Sequence, residues 1–173
     1  MKVSKTALVA TILTLPLAAQ PFKLDLGPLE AKASEKLNIS LNHSTLQFAA
    51  KFLDGKDPEE AQVKKLIEGI DSIDIRTFES KAAGLWTAAD LDRVRNQVRG
   101  PQWSRMLQYK STEENETAEV YVREVNKRVM GVVILDAEPG GLTVVSIAGA
   151  VDLDSLAELS GHFGMPKLER KRK

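Results

Sequence analysis

Four runs of strand-forming residues follow one another at near-regular spacing in the second half of the chain: Trp103 to Lys110, Thr117 to Val125, Val129 to Asp136 and Leu142 to Val151. Each is rich in β-branched or aromatic residues and is bounded by turn formers. The connections are short and polar: STEENE from Ser111 to Glu116, then Asn126-Lys127, then Glu138-Pro139-Gly140-Gly141. A parallel crossover needs a dozen or more residues, so successive runs pair antiparallel as a meander. The third run, VMGVVILD, is apolar on both faces and is expected at the centre of the sheet. Tyr109 and Lys110, or Glu119, Tyr121 and Arg123, suggest one face meeting water or incompletely covered.

The first half alternates strand and helix signals. Leu37, Ile39 and Leu41 alternate with polar residues, as do Ile73, Ile75 and Thr77, which gives two further strand expectations. Ser44 is placed to cap a helix whose Phe48, Ala49, Phe52 and Leu53 share one face. Asp57, Pro58 and Glu60 have the spacing of a capping box with proline in the first turn, before an apolar stripe of Val63, Leu66, Ile67 and Ile70. Thr87 caps a third helix with Asp90 three residues on and Leu91, Val94 and Val98 inward. Asp152 or Asp154 caps a last helix carrying Leu153, Leu156, Ala157 and Leu159.

The expected fold is α+β, one domain, with an antiparallel sheet of four to five strands ending in the C-terminal β-meander and three to four helices mainly on one face. Around it the sequence divides into a signal peptide (1–19), a leader (20–36), the domain (37–166) and a basic tail (167–173). Lys2 and Lys5 precede an uncharged apolar run from Thr6 to Leu17 and then small residues, the layout of a secretory signal that is cleaved near Ala19. The run holds Pro16 and is shorter than the roughly 20 residues of a membrane span. With no cysteine there is no disulfide framework, thiol chemistry or lipid attachment. The expected location is therefore periplasmic or secreted, soluble and not lipidated.

Charge is unevenly placed. The whole chain balances 24 basic against 24 acidic residues, but the body from 20 to 166 holds 17 basic and 23 acidic ones. Lys167, Arg170, Lys171, Arg172 and Lys173 form a basic end that reads as solvated or as a weak contact for anionic lipid. Nucleic acid is not expected as a partner of an exported, acidic domain.

Two stretches, Gly100-Pro101-Gln102-Trp103-Ser104-Arg105 and AEPGGLTVVSIAGAVDLDSLAELSGHFGMPKL from Ala137 to Leu168, resemble the bacterial exported proteins grouped as domain-of-unknown-function family 4252. The resemblance runs from about Leu37 to Leu168 and includes the KFLDGKDPEEAQVKKLIEGI region. It implies a common fold and export. Members of that family often keep a cysteine after the signal for lipid attachment, which this chain lacks. The resemblance lends no catalytic residues.

No reactive constellation stands out. His43 and His162 lack helical metal spacing, and Asp54, Asp57, Glu59 and Glu60 do not match a calcium loop, so no metal or other cofactor is expected. Gly140-Gly141 reads as a hairpin turn that needs positive backbone dihedrals. Asp136, Glu138, Asp152 and Asp154 cluster at strand ends and are the candidates for acid–base chemistry of a hydrolase. Trp86, Tyr109 and Tyr121 are the candidates for a binding surface. A non-enzymatic envelope protein that binds another envelope component is the leading expectation, with the carboxylate hydrolase and lipid association through the tail as alternatives.

Overall fold

A computed structural model of the chain describes residues 22–81 and 86–153. The expected signal peptide, the expected last helix beyond Leu153 with Asp154 and His162, and the basic tail lie outside the described residues.

The helices start where polar side chains take up free backbone amides. Helix α1 (Gly27–Glu30) is a single turn opened by Pro28. Strand β1 (Glu35–Asn42) runs into helix α2 (His43–Ala50), and the cap is Asn42, whose side chain accepts from the Thr45 amide, rather than Ser44. The extended backbone of Asn42 is what an N-cap requires, whereas Ser44 is already inside the helix. Asp57 caps helix α3 (Pro58–Glu68) through the amides of Glu59 and Glu60. Glu60 then reaches back to the Asp54 amide and fastens the preceding loop. After strand β2 (Ile70–Glu79), helix α4 (Ala88–Gln97) opens on the expected Thr87–Asp90 box, with both reciprocal bonds made. His43 Nδ1 donates to the Ile70 carbonyl at 3.0 Å and ties the start of α2 to the start of β2.

The meander follows as β3 (Trp103–Ser111), β4 (Glu116–Val125), β5 (Arg128–Glu138) and β6 (Gly141–Gly149). The fold is α+β, and all pairings are antiparallel in the order β1-β2-β6-β5-β4-β3. The sheet has six strands, above the four to five expected, because β1 and β2 extend it beyond β6. Asn126 and Lys127, both with positive φ, turn β4 into β5 as a type I′ hairpin whose twist matches its strands. Pro139 and Gly140 turn β5 into β6, but neither Gly140 nor Gly141 has positive φ. Gly140 answers a close approach instead: its carbonyl accepts from the Ser80 amide at 2.8 Å, and a Cβ would stand 3.2 Å from the Ser80 carbonyl oxygen.

Alternation along the strands separates two apolar layers. One holds Val133, Leu135, Leu142 and Val144 beneath Val94 of α4, Val98 at its C-terminal cap and Leu29 of α1. The other holds Val122 and Val132 beneath Leu46 of α2 and Leu66 of α3. The helices are thus divided between the two faces instead of gathering mainly on one. Each fully buried leucine contributes about 1.5–3 kcal/mol, and the first layer draws several from the segment expected as a leader. Leu24, Leu26 and Leu29 are buried there, and the aromatic ring of Phe22 lies 4.9 Å from that of Trp103. Gln97 of α4 clamps this segment by accepting from the Asp25 amide at 2.7 Å and donating to its carbonyl at 2.9 Å.

Candidate functional site

Two charged networks hold helix α4, one to the sheet and one to the turn after α1. Glu119, on β4, is completely buried beneath the helix (0 % exposed). Arg95 donates to Glu119 from Nε at 3.1 Å and from Nη2 at 2.7 Å, and from Nη1 to Asp92 at 3.0 Å. The Tyr121 hydroxyl donates at 2.5 Å to Glu119 Oε2, the oxygen that also accepts from Arg95 Nε. Burial pushes the Glu119 carboxyl up, but the hydrogen bonds from Arg95 and Tyr121 and the charges of Arg95 and Arg105 outweigh it and hold it ionised, below the usual range. Burial and the Glu119 carboxylate raise the Tyr121 hydroxyl in turn. Glu119 and Tyr121 therefore do not meet water, contrary to the expectation for that face of β4, because α4 covers them.

The second network stands at the other end of α4. Lys32 Nζ lies 2.6 Å from Asp90 Oδ2, and the same oxygen accepts from the Thr87 amide and hydroxyl. Burial alone would raise Asp90; the Lys32 and Thr87 hydrogen bonds lower it to about 2. A carboxyl depressed in the folded state adds stability that is full above its unfolded value and is lost as pH falls through its folded one. The expected result is a fall in the urea midpoint between about pH 4 and pH 2. That fall is smaller in Asp90→Asn, and equal acid profiles for the two proteins would contradict the assignment.

Beside these networks, where the N-terminus of α4 meets the ends of β3, β4 and β5, lies a cavity of about 200 Å³. Trp86, Leu91, Ala137 and Pro139 supply its apolar lining, and Arg95, Lys110, Asn115 and Thr117 supply hydrogen-bond donors. Glu138 is the acidic residue among the lining. The indole of Trp86 is half-buried against Phe78, with ring centroids 6.4 Å apart. Its Nε1–H is buried and has no hydrogen-bond partner among the described residues. Buried donors without partners are rare, since leaving one unmade costs about 1–3 kcal/mol. Arg95 is committed to Glu119 and Asp92, so Lys110 is the cation that the lining leaves for a ligand.

The candidates singled out in the sequence scatter around this site. Trp86 and Glu138 line it. Tyr121 lies behind it in the Glu119 network, while Tyr109 is 47 % exposed on the opposite face of the sheet. Asp136 and Glu138 do come together, and burial plus the neighbouring Glu138 charge raises the Asp136 carboxyl. Asp152 sits at the far end of β6 from them, and Asp154 is outside the described residues.

Arg95 was not singled out from the sequence, and Glu119 and Lys110 were read only as marks of a water-facing strand face, not as site residues. Arg95 carried a usable signal, for it falls inside the Leu91-Val94-Val98 stripe of α4, and a charge in a buried stripe requires a partner. Lys110 carried none, because it reaches the cavity only through its pairing with Thr117.

Among the described residues no helix is long and apolar enough to cross a membrane, and no group of acidic or histidine side chains is arranged to hold a metal ion. A search of curated proteins finds no match to the chain. A family described as a domain of unknown function, DUF4252, matches residues 31–159, which take in every strand of the sheet and the α4 side of the cavity. The chain belongs to the DUF4252 family.

Proposed function

We propose that this chain is an exported, non-catalytic binding protein whose cavity at Trp86 takes a small organic anion with an apolar body. The observation that carries the reading is Trp86, which lines the cavity beside Arg95 and Lys110 and whose buried Nε1–H has no acceptor among the described residues. An acceptor group would satisfy the indole, and its charge would meet Lys110 and the positive end of α4. Leu91, Ala137 and Pro139 suit the apolar remainder. The volume lies below the roughly 300–1,000 Å³ of drug-sized pockets, which favours a small ligand. Export is supported by the layout of residues 1–19. The hydrolase alternative is weaker, since Asp152 stands a strand length away from Asp136 and Glu138.

Calorimetric titration of the purified chain with benzoate and with its cationic counterpart benzylamine tests the ligand class. Benzoate is expected to bind saturably, about tenfold more weakly in Lys110→Ala and not at all in Trp86→Ala, while benzylamine does not bind. Benzylamine binding in preference to benzoate, or benzoate binding that both variants leave unchanged, overturns the reading. N-terminal sequencing of the same material is expected to begin near Gln20; a retained Met1 would overturn export.

A further inference from the structure

The face of the sheet that carries α2 and α3 is covered by them at one end only. In register across all six strands stand Ile39, Ile75, Val145, Ile134, Val120 and Leu107, a continuous apolar row. None of the six is fully buried and Ile39 is exposed; Val120 and Ile134 pack against the edge of the layer under α2 and α3. The next row outward holds Leu37, which is 52 % exposed, and Tyr109. A single hydrophobic residue on a surface is ordinary, but a row spanning a whole sheet requires a cover.

Beyond this row the same face turns acidic. Glu35 and Glu79 are directly paired across β1 and β2, and Glu116 and Asp136 occupy the corresponding ends of β4 and β5. Burial first, then the charges of Glu114, Glu138 and Asp136, raises the Glu116 carboxyl, so these groups repel one another. A cleft of about 280 Å³ lined by Glu35, Glu79 and Glu138, together with Lys81, opens at this end. Like charges directly opposite each other destabilise a sheet unless something neutralises them.

The chain leaves the described region on this face. The Val151 amide donates to the Val129 carbonyl at 3.0 Å, Val151 is buried in the layer under α2 and α3, and Leu153 packs against that layer. The family match continues to residue 159, so the segment after Leu153 belongs to the domain. The sequence there carries Leu156, Ala157 and Leu159 at helical spacing, and then the bases of residues 167–173. Seven residues of strand, about 23 Å, separate Val129, which holds Val151, from Asp136 at the acidic end. A helix at the spacing of Leu156, Ala157 and Leu159 would span about 13 Å over 154–162 and five extended residues would add about 16 Å, enough for the basic end to reach it.

We propose that residues 154–173 are the cover of this face, with Leu156, Ala157 and Leu159 against the apolar row and the basic end against Glu35, Glu79, Glu116 and Asp136. The segment joins an apolar stripe to a basic end in the order in which the face joins an apolar row to an acidic end. This inference concerns the opposite face from the Trp86 cavity and does not rest on the ligand reading.

Carbodiimide cross-linking of the full chain, followed by peptide mapping and by light scattering for mass, tests it. The expected result is amide links from Lys167, Lys171 or Lys173 to Glu35, Glu79, Glu116 or Asp136 within a monomer, suppressed in 1 M salt. Links only between chains would assign the face to a second copy and overturn the proposal. So would their absence, or a tail that binds phosphatidylglycerol vesicles while the face stays open. In the paired variant Leu156→Asp, Leu159→Asp, binding of an apolar dye is expected to rise several-fold with circular dichroism unchanged; dye binding equal to that of the unaltered chain would also overturn it.

Discussion

Replacing Glu119 by alanine is expected to remove about 3–5 kcal/mol of stability, because it leaves the Arg95 guanidinium and the Tyr121 hydroxyl facing each other without their shared acceptor. Domains of this kind have about 5–15 kcal/mol in all, so the loss is a large fraction of the total. At about 2–4 °C per kcal/mol it lowers the melting temperature by about 10 °C. The pair is itself no large source of stability, since burying two charges costs nearly as much as their attraction returns. The double change Glu119→Leu, Arg95→Met should therefore lose less than Glu119→Ala alone. Urea unfolding of the two variants checks the order. A single variant that loses under 1 kcal/mol, or a double variant that is the less stable of the two, would show that α4 is not held by this network.

Gly149→Ala is expected to cost more than about 3 kcal/mol, through backbone strain and collision together. Gly149 has φ +121°, and a Cβ there would lie 2.4 Å from the Gly69 carbonyl oxygen, 2.6 Å from the Asp71 nitrogen and 2.8 Å from Ile70 Cα. All three are main-chain atoms, which cannot rotate away. The reason for the crowding is topological: the turn from α3 into β2 crosses the end of β6, and a Cβ on Gly69 would likewise meet the Ala150 carbonyl oxygen at 2.3 Å. Gly55→Ala is the control, with open space around its Cβ, and should change stability by under 1 kcal/mol. Soluble yield and the thermal midpoint read both. A Gly149→Ala protein as stable as Gly55→Ala would contradict the register of β2 on β6.

The meander was legible because its information is local: each run is rich in strand formers, each turn is short, and β3 through β6 pair with their neighbours in sequence. The Thr87 and Asp57 caps were legible for the same reason. What could not be read is non-local. The pairing of β2 with β6 joins residues such as Ile75 and Val145 across the whole meander, and no pattern near either announces it. The apolar stripe of α4 says that the helix is half-buried but not against which face. Leu24, Leu26 and Leu29 looked like a leader because Gly27-Pro28 interrupts them, yet the single turn of α1 brings all three into the core. At the candidate site Trp86 could be picked out as an aromatic of uncertain role. The lining that gives it one comes from α4, the β3–β4 hairpin and the β5–β6 turn, which only the folded sheet brings together.

The buried indole of Trp86 has no acceptor among the described residues, and the chain has only two tryptophans, Trp86 and Trp103, with which to test the proposed ligand. In a ¹H–¹⁵N spectrum each indole gives one signal. Addition of benzoate is expected to shift the Trp86 signal downfield and saturably while that of Trp103, packed on Phe22 away from the cavity, stays in place. A Trp86 signal unmoved at saturating benzoate, or both signals moving together, would contradict the account.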